Sequence, residues 1–64
     1  MTRVPKLFAD ATMTLEDMCM IAVHGQRRGT SPDRSRALVG DLRAGLLTLD
    51  TILADITACL GAAP

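Results

Sequence analysis

The sequence predicts an all-α fold, a two-helix antiparallel hairpin that completes a four-helix-type bundle by association. Three observations lead there. Apolar residues recur at spacings of three and four along two long segments, the pattern of helices with one buried face. A short polar stretch with two glycines, Gly25 to Asp33, separates the segments. Phe8 is the only aromatic residue, so any core is built from aliphatic side chains, which suits helix on helix.

The first element is a helix from about Pro5 to His24. Val4, Leu7, Phe8, Ala11, Leu15, Met18, Cys19, Ala22 and Val23 share one face of it. Thr12-Met13-Thr14 is a weak point, because Thr14 with Asp17 three residues on resembles a capping box. Either one helix runs through or a short one breaks there and restarts. The continuous helix is preferred, since the apolar face passes the weak point without changing phase.

The loop spans residues 25–31, and the second helix runs from Pro32 to about Leu60. Ser31 suits the N-cap, Pro32 the first helical position and Asp33 the positive end of the helix dipole. Gly61 offers a left-handed stop. Leu38, Leu42, Gly45, Leu46, Leu49, Ile52, Leu53, Ile56, Cys59 and Leu60 fall within about 140° of arc at about 100° per residue. On the opposite side Gly40, Ala44, Leu47, Thr51, Ala54 and Ala58 form a narrower stripe. Either it admits a second helix closely, or its alanines serve helix propensity alone.

A short loop between amphipathic helices makes them antiparallel neighbours. Pairing outward symmetrically from a tip near Gly29 sets Pro5 opposite about Ile52. The second helix then overhangs the first by two turns, leaving Ile56, Cys59 and Leu60 without cover inside the chain. The predicted interface therefore comprises Leu38, Leu42, Leu46, Leu49, Ile52, Leu53, Ile56 and Leu60, with Phe8, Leu15 and Met18 from the first helix. Size points the same way. Residues 1–64 make a single hairpin domain, and chains of about 60 residues bury only roughly 60% of their unfolded surface.

Formal charge is zero, so no net field draws the chain to nucleic acid or an acidic membrane. Yet Arg27, Arg28, Arg34 and Arg36 face Asp33 alone, leaving the tip three positive charges in excess. These four arginines are candidate contacts for an anionic partner. The tip is otherwise a solvated loop, an acidic-protein contact, or a grip on phosphate or RNA. Nucleic acid is the unlikely partner, since its binding modules carry a larger basic footprint and often stacking aromatics. An Arg-to-Lys ratio of six to one with abundant Ala and Gly fits a small bacterial or phage protein.

Met1–Asp10 lacks the apolar run of an export signal, and no segment approaches the roughly 20 apolar residues of a membrane span. No membrane and a cytoplasmic location are expected. Cys19 and Cys59 make no disulfide framework; the register places them about 30 Å apart along the axis, both as buried thiols on apolar faces. Met13, Asp17, Met20 and His24 share a stripe with soft donors, but adaptable helix contacts by Met and capping by His24 account for it. No metal and no cofactor are expected. Without HExxH, CxxC, P-loop or GxSxG patterns, the chain is not expected to be an enzyme.

The pattern resembles, in architecture, the helical hairpins that dimerise into four-helix bundles, in the manner of the small plasmid RNA-binding regulators of the Rop type. That likeness rests on no sequence motif, and here the positive residues sit on the turn. The function expected is a non-catalytic interaction module, a small accessory or adaptor subunit whose partner is a second copy or a larger helical protein. The alternative is a phage- or plasmid-type regulator, an inhibitor, antitoxin or Rop-like RNA binder, acting through the arginine tip.

Overall fold

Two helices, α1 (Arg3–Gly25) and α2 (Pro32–Cys59), pack side by side in a computed structural model that describes residues 3–61. α1 is unbroken. Thr12 and Thr14 donate their hydroxyls to the carbonyls of Phe8 and Asp10, at 3.1 and 3.0 Å, so Thr14 is a mid-helix residue and no capping box forms.

The loop closes each helix with its own residues. Gln26 and Arg27 donate backbone N–H groups to the carbonyls of Val23 and His24, and Thr30 Oγ1 donates to the Arg27 carbonyl at 2.7 Å. Gly29 turns the chain with φ of 80°, a left-handed conformation that a Cβ disfavours. Ser31 accepts from the Arg34 N–H at 3.1 Å as the N-cap of α2. At the far end Gly61, with φ of 67°, donates to the Ala58 carbonyl.

The helices meet along a coiled-coil seam. Val4, Leu7, Ala11, Thr14, Met18 and Ile21 are buried or half-buried on α1, and Ser35, Leu38, Leu42, Gly45, Leu49, Ile52, Ile56 and Cys59 on α2. Both series alternate steps of three and four, the heptad a/d rhythm. Two close approaches set the register: a Cβ on Gly45 would lie 2.6 Å from Met18 Cγ, and one on Gly25 would lie 3.8 Å from Leu38 Cδ1. Carried along both helices, that register sets Val4 opposite Cys59, Leu7 opposite Ile56, Ala11 opposite Ile52 and Thr14 opposite Leu49.

This corrects the symmetric pairing. Pro5 lies opposite about Ala58, a shift of six residues or about 9 Å. The expected overhang is absent: Ile56 is only 5% exposed, held by α1. The loop explains the shift. Gln26 and Arg27 extend the path of α1 by a further turn before Gly29 reverses it, so the first turn and a half of α2 stands beyond Gly25 and the C-terminal end draws level with Arg3.

Burial is thin. Leu7, Ala11, Leu38 and Ile56 alone are buried among the described residues. The rod measures 49 × 18 × 12 Å, with a radius of gyration of 15.1 Å, against about 11 Å for a compact chain of this length. No described helix is long and apolar enough to cross a membrane.

Candidate functional site

The strongest candidate is one long side of the seam. Because the helices run antiparallel, the residue that follows each d position falls on the same side from either helix. On α1 these residues are Phe8, Leu15 and Ala22; on α2 they are Val39, Leu46, Leu53 and Leu60. Ala22 and Val39 line the same hollow, which places the two rows together. In the observed register Phe8 lies across from Leu53, Leu15 from Leu46 and Ala22 from Val39. All are exposed, Phe8 by 54%, Leu46 by 55% and Leu60 by 62%. No charged residue falls in these rows.

The opposite side of the seam has the contrary chemistry. Its flanking positions hold Arg3, Asp10, Asp17 and His24 on α1 with Arg34, Asp41, Thr48 and Asp55 on α2. One side of the rod is thus charged, with aspartates in the majority, and the other apolar.

The predicted interface residues divide three ways. Leu38 and Ile56 are buried inside the hairpin; Leu42, Leu49, Ile52 and Met18 are half-buried in the seam; Phe8, Leu15, Leu46, Leu53 and Leu60 stand exposed. Thr14, Ile21 and Ser35 belong to the seam but not to the predicted stripe. Their signal is the strict three–four spacing, which a broad stripe of about 140° blurs by merging seam and flank. On the far side Gly40, Ala44, Leu47, Thr51, Ala54 and Ala58 are all exposed, Leu47 by 72%.

A hollow of about 290 Å³ opens where the apolar side narrows toward the loop, lined by Ile21, Ala22, Gly25, Gln26, Ser35, Leu38, Val39 and Leu42. Its shape follows from small residues: Ala22 and Gly25 withdraw where Phe8 and Leu53 project at the other end.

The tip forms a second hollow, about 440 Å³, lined by His24, Arg27, Gly29, Thr30, Ser31 and Arg34. Only two of the four candidate arginines meet there. Arg28 does not line it, and Arg36 pairs with Asp33 at 2.9 Å on an exposed surface, where screening by water leaves an ion pair little weight.

The cysteines depart from expectation. Cys59 is half-buried in the seam, but Cys19 is exposed, being one residue past Met18 and outside the packed face. The corrected register brings them to about 22 Å along the axis, still beyond bridging within a chain. Met13 and Met20 are well exposed, and no cluster of three or more His, Cys, Asp or Glu suited to a metal occurs among the described residues.

No family model, no curated protein and no solved structure matches the chain.

Proposed function

We propose that this chain is a non-catalytic protein–protein interaction module, a small helical accessory or adaptor subunit that completes a four-helix-type bundle by packing against another chain. One observation carries the reading. The chain exposes 4946 Å², whereas a folded protein of its 6.8 kDa ordinarily exposes about 3950 Å². The difference, about 1000 Å², is close to the roughly 800 Å² that each partner contributes to a standard interface. The exposed apolar residues beside the seam form two heptad rows, the geometry by which one helical pair receives another.

The test is affinity capture from the native cell with the intact chain and with a Leu46→Glu, Leu53→Glu variant. Both should be equally helical. The unaltered chain should retain a stoichiometric helical partner, itself or another protein, that the variant loses. Equal retention by both, or none by either, counts against the module.

The tip supports a second reading. His24, Arg27 and Arg34 around one hollow at the start of α2 suit an anionic group, because a helix N-terminus and its basic neighbours favour negative charge. That is the regulator reading, in which the tip docks on an acidic protein or on RNA.

A further inference from the structure

Resting on the module reading, we propose that the partner is a second copy of this chain, packed antiparallel through the apolar side so that each copy's Phe8 fills the other's hollow.

The match is internal to the face. Phe8 and Leu53 make one end of it bulky; Ala22 and Val39 make the other end small and border the 290 Å³ hollow. Leu15 and Leu46 lie midway. A two-fold axis through that middle pair, perpendicular to the rod, carries Phe8 onto the centre of the partner's hollow, counted in helical rise along the register. The same operation stacks each helix on its own copy, so Phe8 meets the partner's Ala22 and Leu53 meets the partner's Val39. Bulk meets space twice, as an isologous interface requires. Packing the rods with both tips at one end would set Phe8 against the partner's Leu53, bulk on bulk, and leave both hollows empty.

Charge selects the same arrangement. The tip holds an excess of three positive charges, so side-by-side tips would repel. Turning one copy end for end moves each tip to the level of the partner's other end, where Arg3, Lys6, Asp10 and Asp55 sum to zero. The charged sides face outward in both copies. The surface in excess of a compact chain, about 1000 Å² per copy, matches what a stable dimer buries.

Sedimentation equilibrium of the full chain tests this, with circular dichroism as the check on folding. A dimer of twice 6.8 kDa is expected. Phe8→Ala should weaken dimerisation at least about tenfold, since one large side chain leaves each hollow. Ala22→Phe, which crowds the hollow, should weaken it comparably. The double variant exchanges bulk and space and should recover most of the loss. A spin label at Arg28→Cys, with Cys19 and Cys59 replaced, should report tips about 36 Å apart along the rod, counted at about 1.5 Å of rise per residue from the Leu15–Leu46 level.

The failures are distinct. A dimer indifferent to Phe8→Ala and Ala22→Phe, or one with adjacent tips, overturns this interface and leaves the module reading standing. A chain poorly helical alone overturns the second copy and points to a different helical partner. A well-folded monomer at several hundred micromolar, retaining nothing from the cell, overturns both.

Discussion

Gly45 occupies a position where helix propensity and packing pull in opposite directions. A glycine inside a helix costs about 1 kcal/mol relative to alanine, so replacement should help unless space is lacking. At Gly45 it is lacking: the added methyl would meet Met18 Cγ at 2.6 Å, close to the root of that side chain. At Gly40, five residues earlier, nothing lies within 4 Å. Gly40→Ala should therefore stabilise the chain by about 0.5–1 kcal/mol. Gly45→Ala should lose about 1 kcal/mol, because overpacking of about 1–3 kcal/mol exceeds the propensity gain. Urea denaturation followed by circular dichroism measures both. Adding Met18→Ala to Gly45→Ala should recover much of that second loss, and a stabilising Gly45→Ala would show that the helices are not in van der Waals contact there.

Within elements, caps and faces give separable expectations. Ser31→Ala removes the acceptor for the Arg34 N–H and should cost about 1 kcal/mol, measured by denaturation. Leu49→Asp inserts a carboxylate into the half-buried seam opposite Thr14, where an unpaired charge costs several kcal/mol; helicity at 25 °C should collapse. Leu47→Asp, on the 72% exposed far side, should leave helicity unchanged. If Leu47→Asp abolishes association instead, the small-residue stripe, and not the Phe8 side, is the docking surface. These elements were largely legible beforehand. Ser31-Pro32-Asp33 and Gly61 speak through local chemistry, which a sequence carries in full. The register was not, because it depends on how far the loop travels before Gly29 reverses it, and that follows from hydrogen bonds of Gln26, Arg27 and Thr30 that composition does not reveal. The slip of six residues moved Ile56 from a supposed open end into the core. It also explains why Phe8 and Leu15, read as one face with Leu7 and Met18, stand outside the seam: period 3.6 merges positions that a two-helix contact at period 3.5 separates.

At the scale of the molecule the question is what the charged tip does once the apolar side is occupied. The tip lies at one end of a 49 Å rod, while the apolar rows run along its length, so the two surfaces are free to act independently. Replacing Arg27, Arg28, Arg34 and Arg36 with Gln should leave the fold intact, since all four side chains are exposed and the Arg36–Asp33 pair is worth well under 1 kcal/mol in water. Self-association should also persist within about threefold, because antiparallel copies keep the tips apart; tips held side by side would instead associate more tightly once neutralised. A contact between the tip and an acidic protein would weaken in the variant and lose its salt dependence. Contact with nucleic acid has a sharper signature: affinity of the unaltered chain would fall steeply with salt, by one counterion or so per phosphate contacted. With Arg36 engaged by Asp33 and only Arg27 and Arg34 converging, too few phosphate contacts are available for tight binding. A gel shift with mixed RNA and DNA at low salt should show none. A clear shift, abolished in the four-glutamine variant, would establish the regulator reading in place of the structural one.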